Sequence, residues 1–321
     1  MKSNTQTLTE GPLAKQILLV SLPLALSNLL QVLFNMSDVA VVGRFAGSTA
    51  LGAVGSTSIF VTLFTGFLIG LSNGINVLVA RFYGAKHGDD VRCTVHSALV
   101  VSFIAGVVLL GIGLLGSPAL LRLLNTKDDL LPGAILYLRV YFLGMPALAL
   151  YNFGNAIFSA IGDTKKPLYF LSIAGVLNVL LNLFFVIVCK LDVAGVAIAT
   201  VISQCISAAL VVRCLVKETG PLRLDFRQLK IYPIKLKQIM QVGIPAGIQG
   251  MLFSLANVTV QSSVNSFGEV IMAGSSAAIS IEQFIYSNIN AFYQANVAFT
   301  SQNYGAGDYR RIKKIAMISV V

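Results

Sequence analysis

The first long apolar segment of the chain carries a stripe of polar side chains at spacing i, i+3, i+7 and i+10: Asn28, Gln31, Asn35 and Asp38. This spacing puts all four on one face of a helix. Polar groups are costly in hydrocarbon, so the stripe predicts a face turned toward protein or a water-filled cavity. A carboxylate on such a face could bind a proton or a small cation. The alternative is an interfacial carboxylate that only pairs with Arg44.

Amides elsewhere could complete a cation site around Asp38. Asn178 and Asn182 lie one helical turn apart and face the same side. Their oxygens, with those of Asp38, suit a small hard cation or the hydrogen bonds of a proton. The alternative for these asparagines is hydrogen bonding between helices. Thr200 lies in the small-residue segment GVAIATVISQ and has an alternative bond to its own backbone.

The last third of the chain has polar stripes of its own. Glu282 lies about 16 Å along a helix from Ile271, near mid-membrane, where an ionisable residue is by default a functional candidate. No lysine or arginine occurs between Lys237 and Arg310 to pair with it. With the first-span amides, we predict these cavity-lining residues: Asn28, Gln31, Asn35, Asn152, Asn257, Gln261, Glu282, Tyr286, Asn290 and Tyr293.

The segments that must position these residues are apolar and long. Hydrophobic residues make up 56% of the 321 residues and charged residues only 11%, against roughly a quarter charged in soluble domains. The composition predicts an all-α, polytopic membrane protein. We expect eight spans, with a ninth beginning near Ile312: 14–42, 50–80, 93–117, 131–161, 168–189, 193–216, 238–265 and 271–302.

The net charge of +10 is explained by topology and not by nucleic-acid binding. With the N-terminus in the cytoplasm, only five of the 23 basic residues lie outside, which leaves 18 inside: the five are Arg44, Arg122, Lys127, Arg139 and Lys190. The positive-inside rule predicts this bias. We therefore expect a multi-pass protein of the plasma (inner) membrane with a cytoplasmic N-terminus.

The chain also repeats itself after about 222 residues. SLPLALSNLL (21–30) aligns with VGIPAGIQGM (242–251), and RFYGAKHGD (81–89) aligns with QNYGAGD (302–308). Six spans per repeat predict two parallel bundles with substrate bound between them. The expected organisation is an N-lobe at 1–216, a cytoplasmic linker or interfacial helix at 217–237, and a partial C-lobe at 238–321. A complete second lobe would need about four more spans, so the repeat predicts a partial chain.

Other chemistries find little support. His87, Asp89 and Asp90 could suggest a metal site, but a basic cytoplasmic turn is better read as a solvated loop. The four cysteines show no paired spacing and are expected to be apolar filler. No GxSxG, HExxH, P-loop or GxGxxG motif occurs in a usable context, so we do not expect an enzyme. Aromatic residues near the polar faces, Tyr137 and Tyr141 among them, could stack on planar cations or simply pack the bundle.

Several motifs together resemble the multidrug and toxic compound extrusion (MATE) family over essentially the whole chain. They are Pro23 followed by Asp38 and VVGRFAGSTALGAVG, GDTKKP at 162–167, GVAIATVISQ at 195–204, and the paired YGAKHGD and YGAGD turns. The resemblance implies twelve spans in two six-helix lobes, and efflux of organic cations and other amphiphiles driven by sodium or protons.

The resemblance also implies roles for single residues. Asp38 would be the first-span acid of an N-lobe cation site, with Asn178 and Thr200 among its neighbours, and Glu282 fits an acid found in the eighth span of many members. Asn182 is a departure, because many members have aspartate there. The seventh span also lacks a glutamate found in one sodium-coupled branch.

The leading functional hypothesis is a cation-coupled antiporter that exports amphiphilic or cationic drugs, with Na⁺ or H⁺ as the coupling ion and no other cofactor. The predicted coupling residues are Asp38, Asn178, Asn182 and Thr200. Expected partners are small substrates and the lipid bilayer, without nucleic acid or an obligate protein partner. The alternatives are a lipid-linked oligosaccharide flippase, which would need basic residues in its cavity, and a membrane-embedded transferase, which would need clustered histidines or acids.

Overall fold

The computed structural model describes residues 8–124, 126–265 and 269–320. These residues are almost wholly helical, and no β-strand occurs among them. Their α-helices are α1 Leu13–Val41, α2 Gly47–Gly84, α3 Gly88–Leu123, α4 Leu131–Leu143, α5 Met145–Ala160, α6 Lys165–Leu183, α7 Asp192–Lys217, α8 Pro233–Asn265, α9 Glu269–Gly305 and α10 Tyr309–Val320. Short π-helical turns follow α1 at Val42–Ala46 and α6 at Phe184–Val188. The all-α fold class predicted from composition is confirmed.

Five helical stretches of the described chain are long and apolar enough to cross a membrane, and the bent pair α4–α5 makes a sixth. The first stretch, Leu13–Gly84, has 72 residues, which at 1.5 Å per residue would be about 108 Å long. A bilayer core is about 30 Å thick, so this stretch crosses it twice. Seven of the eight predicted spans lie within these stretches or extend beyond them by at most four residues. The eighth, α9, is less apolar and stays a prediction.

The predicted fourth span, 131–161, is not one straight helix. It is broken at Gly144 into α4 and α5, whose axes differ by 48°. Pro146 lies at the start of α5 and has no N–H to continue the hydrogen bonding of α4. The predicted span is therefore corrected to two half-helices that meet inside the bundle.

Glycines let α2 and α8 approach each other closely. A Cβ atom added at Gly70 would lie 2.5 Å from the Cα atom of Gly247, and one at Gly74 would lie 2.9 Å from the Cα atom of Gly243. Small residues are the usual means of close helix packing in membranes. This glycine seam (Gly66, Gly70, Gly74, Gly243, Gly247 and Gly250) joins the first repeat to the second.

The two repeats meet at one end of the bundle and diverge at the other. In α1, the fully buried side chains run from Leu13 to Ala25, and none follows until Val41. In α8, no described side chain beyond Gly247 is fully buried. We call the end that holds the 84–88, 160–165 and 305–309 turns the closed end, and the opposite end the open end. The space between α1 and the outer parts of α8 and α9 is the cleft.

The polar stretch between the repeats is a linker without an α-helix, so the alternative of an interfacial helix is wrong. Two 3₁₀ turns, Gly220–Leu222 and Phe226–Gln228, interrupt it. Leu222 and Leu224 are buried, and the Asp225 N–H donates to Nε2 of the buried His96 at 3.2 Å. The linker folds back on α3 because its two leucines are buried there and its backbone is hydrogen-bonded to His96.

Candidate cation site

Asp38 is joined to α6 through a direct side-chain contact. The Asn182 Nδ2 group donates a hydrogen bond to Asp38 Oδ1 and another to Asn178 Oδ1, the latter at 3.2 Å. Asn178 Nδ2 in turn lies 3.4 Å from Thr200 Oγ1 on α7, and Thr200 donates to the Val196 carbonyl at 3.0 Å. The structure therefore brings together the four residues predicted to couple a cation. Their coupling role stays a prediction.

The site is deep and has oxygen atoms to spare. Asn182 is fully buried and Asn178 is 6% exposed, whereas Asp38 is partly buried. The Asn182 Oδ1 atom is buried without a hydrogen-bond partner among the described residues. A buried amide oxygen without a partner is destabilising, and here it lies beside a carboxylate. This combination could receive a proton or a small cation.

Asp38 does not pair with Arg44 as the interfacial alternative requires. Arg44 is exposed, and none of the ion pairs found within residues 8–124, 126–265 and 269–320 involves Asp38. The charge of Asp38 is instead met by the amide of Asn182. A neutral hydrogen-bond donor satisfies one carboxylate oxygen and leaves the net charge of the site negative.

The rest of the α1 stripe lines two different surfaces. Asn28 Nδ2 donates to the Ser287 carbonyl of α9 at 2.9 Å, so it joins the two repeats. Gln31 and Asn35 lie further along α1 and are exposed. Their cavity-lining role stays a prediction.

In the second repeat, the predicted residues are scattered along α8 and α9. Glu282 and Asn257 are exposed, and Tyr293 is 55% exposed. Tyr286 stacks on Phe253 with ring centroids 6.0 Å apart. Asn290 accepts a hydrogen bond from Gln294 at 3.1 Å, and Gln261 is partly buried. The structure does not gather these residues into one cluster with Asp38.

Asn152 is explained locally, and the two tyrosines named as stacking candidates are buried. Asn152 on α5 donates to the Leu148 carbonyl of its own helix at 2.9 Å. Tyr137 and Tyr141 on α4 are 8% and 7% exposed and stack with centroids 6.1 Å apart. Their i, i+4 spacing on a predicted span was the available signal, but bundle packing gives the same pattern.

The described residues hold no group of three or more His, Cys, Asp or Glu side chains that could bind a metal ion. His87 Nδ1 lies 3.4 Å from Asp90 and is well exposed, on a turn at the closed end. The four cysteines are free thiols. The only oxygen-rich site that the sequence and the described structure share is the one at Asp38.

Sequence comparison places the chain among known proteins. The family model described as MatE matches residues 23–184 and 245–321. The "Probable multidrug resistance protein YpnP" of Bacillus subtilis is 32% identical over 318 residues, which are 95% of this chain and 68% of that protein. A protein of Shewanella oneidensis named "FAD transporter" is 24% identical over 320 residues, 98% of this chain and 70% of that protein.

Solved structures show the same architecture. An outward-facing multidrug resistance MATE family transporter of the MOP superfamily superposes with a TM-score of 0.92 at 24% identity, covering all of this chain and 71% of that one. The apolar helices, the family model and the Bacillus subtilis relative together define a multi-pass membrane transporter, not an enzyme. The chain belongs to the MatE family of multidrug efflux transporters. The alternative of a membrane-embedded transferase is thereby excluded.

Proposed function

We propose that the chain is the cation-coupled part of an antiporter that exports cationic or amphiphilic compounds across the plasma membrane. The observation that carries the proposal is the Asp38 carboxylate, bound by Asn182 and set next to an unpartnered amide oxygen at the edge of the cleft. A proton or Na⁺ that binds there changes the charge of the first lobe. Such an ion drives transport because it binds the two lobe arrangements with different affinity.

The charge distribution supports the orientation. The turns and linker at the closed end carry most of the basic residues, whereas Arg44, Arg122, Lys127 and Lys190 lie toward the open end. Positively charged loops stay in the cytoplasm. The closed end is therefore cytoplasmic, and the cleft opens to the outside.

The cleft walls support cationic or neutral substrates. No lysine or arginine occurs between Lys15 and Arg44 on α1 or between Lys237 and Arg310 on α8 and α9, whereas Asp38 and Glu282 lie on these helices. An anionic dinucleotide such as FAD would need basic partners there. The exposed Phe253–Tyr286 stack offers a flat aromatic surface instead, which suits a planar cation.

The experiment measures ethidium efflux from everted vesicles that contain the full-length protein, with pH and sodium varied separately. Asp38→Asn should leave membrane insertion intact and lower efflux by at least about tenfold, because the neutral side chain can no longer bind the coupling ion differently in the two lobe arrangements. Ser172→Ala is the control, since Ser172 lies outside the predicted site and donates its hydroxyl to the Leu168 carbonyl of its own helix. Undiminished efflux by Asp38→Asn would refute the coupling role.

A further inference from the structure

At the closed end the two repeats exchange equivalent contacts. A Cβ atom on Gly84 would collide with the backbone of Gln302, and one on Gly305 would collide with the backbone of Arg81. The two pairs are related by the sequence repeat, since both partners move by 221 positions. The Arg81 guanidinium also lies 5.2 Å from the centre of the Tyr304 ring. The ends of α2 and α9 thus meet backbone to backbone, with no room for side chains between them.

A short segment before α1, residues 8–12, is threaded into this junction. The Leu8 N–H donates to Gln302 Oε1 at 3.2 Å, and Asn303 Nδ2 donates to the Leu8 carbonyl at 3.2 Å. The Leu8 side chain is fully buried and packs with α1 and with Ala298 and Phe299 of α9. We call residues 8–12 the strap.

Both polar side chains that grip the strap are fully buried, and one of them also holds the first repeat. Gln302 Nε2 donates to the Ala160 carbonyl at the end of α5 at 2.6 Å. The amide of Gln302 therefore uses its oxygen on the strap and its nitrogen on the α5–α6 turn. Asn303 adds a bond to its own helix at Phe299. The Asn303 Oδ1 atom is buried without a hydrogen-bond partner among the described residues, so Asn303 holds the strap through its nitrogen alone.

The Ala160 carbonyl that receives Gln302 ends α5, just before the α5–α6 turn with the GDTKKP motif at 162–167. Lys166 pairs with Asp163 at 2.9 Å and with Glu218 just after α7. Thr164 Oγ1 donates to the Val20 carbonyl of α1 at 3.0 Å. The turn next to the Gln302 contact is thus bonded to both α1 and the end of α7.

We propose that the strap, Gln302 and Asn303 form a latch that holds the two lobes together at the cytoplasmic end and opens when the cleft turns inward. The proposal rests on the proposed function, in which the two lobes change between two arrangements, and its first test does not require transport. Three hydrogen bonds cross the junction: Leu8 to Gln302, Asn303 to Leu8, and Gln302 to Ala160. Together they set how often the cytoplasmic side opens.

The first test uses a reporter cysteine in the junction. The full-length protein, with its native cysteines replaced by serine, carries Ala298→Cys, a position that is 1% exposed between α1 and α9. A membrane-impermeant maleimide is added to inside-out vesicles and the labelling rate is measured. Gln302→Leu with Asn303→Leu removes the crossing bonds and should raise the rate roughly tenfold or more, since each bond contributes on the order of a factor of five.

Ser319→Ala is the matched control, because Ser319 bonds Asn296 within the second repeat, away from the junction. Its labelling rate should equal that of the parent. A rate in the Gln302/Asn303 variant within about twofold of the parent would overturn the latch, and so would an equal rise in the Ser319→Ala control.

A second measurement keeps the proposal testable if the double variant fails to fold. Leu8→Cys with Asn303→Cys is linked by a short bis-maleimide in the folded protein. The linked protein should lose ethidium efflux, whereas each single-cysteine variant treated in the same way should keep it. Full efflux by the linked protein would show that transport does not require the junction to open, and it would overturn the latch. This outcome is distinct from failure of the coupling role of Asp38, which leaves the labelling of Ala298→Cys unaffected.

Discussion

The asparagine at position 182 determines how much charge the Asp38 site holds. Its Nδ2 group donates to Asp38 and to Asn178, so the amide organises the site without adding a second carboxylate. Two carboxylates in contact cannot both ionise easily, and they share protons as a pair. With asparagine at this position, Asp38 is the sole acid of the polar cluster formed with Asn178 and Thr200.

We expect Asn182→Asp to make transport depend more steeply on the coupling ion, because a second acidic group would take part in binding. The measurement is the slope of ethidium efflux against pH and against sodium concentration in vesicles, and the slope should rise from about one toward two. Asn178→Gln, which keeps an amide on the same helix face, serves as the neutral comparison. A variant whose slope stays the same would contradict this account of the site.

Part of the site could be predicted at the residue level, and part could not. Asn178 and Asn182 face one side of α6 because they are one turn apart. Amides in an apolar span must face other polar groups, because hydrocarbon offers them no hydrogen bonds. Leu8 and Gln302 were not predicted as a pair, because their contact joins residues 294 positions apart. The QNYGAGD repeat indicated that the segment mattered, but not what it touched.

At the scale of elements, the glycine seam fixes how α2 and α8 pack. We expect Gly70→Ala to destabilise the folded protein by about 1–3 kcal/mol, because the new methyl group would overpack the junction with Gly247. The measurement is the temperature at which the detergent-purified protein aggregates. Gly111→Ala on α3 is the control, since an added Cβ there meets nothing within 4 Å. If Gly111→Ala lost as much stability as Gly70→Ala, the close packing of α2 and α8 would not be the cause of the loss.

The linker is a second element whose conformation can be tested. The His96 Nδ1 atom lies 2.8 Å from the Arg92 carbonyl, and its Nε2 atom accepts a hydrogen bond from the Asp225 N–H. We expect His96→Phe to speed trypsin cleavage at Arg223 and Arg227 in inside-out vesicles by roughly fivefold, since one hydrogen bond near 1 kcal/mol is lost.

His87→Phe is the comparison for the linker, because His87 is exposed and has no bond to the linker. Its cleavage rate should match that of the parent protein. Equal cleavage of the His96 and His87 variants would mean that His96 does not hold the linker.

The sequence of the linker indicated a polar connection between the repeats, but its alternating basic and apolar residues fitted an amphipathic helix equally well. Only the partners on α3 decide between the two.

The helices themselves were largely predictable, since uncharged stretches of about 20 residues admit few other structures in a bilayer. The break at Gly144 was missed for a physical reason. Gly144 and Pro146 occur inside an otherwise continuous apolar run, and neighbouring helices can keep such a run straight or let it bend. Composition alone does not distinguish the two.

For the whole molecule, the orientation can be tested with a native residue. Cys189 is exposed and follows α6 at the open end. In a protein with the other three cysteines replaced by serine, an impermeant maleimide should label Cys189 in intact cells. Ala306→Cys, at the closed end, should react only after permeabilisation. The reverse pattern would invert the proposed topology.

The small number of side chains along the glycine seam has a consequence for motion. Helices whose side chains interlock must lift one row over another when they turn, and each lift forces side chains out of their preferred rotamers. At Gly70 and Gly74 the backbone of α8 lies directly against α2, and only Phe67 and Leu71 of α2 pack onto the glycines opposite them. We therefore expect rotation of α8 against α2 to displace few side chains, so that the polar bonds at the ends of the helices contribute most of the barrier to rocking of the lobes.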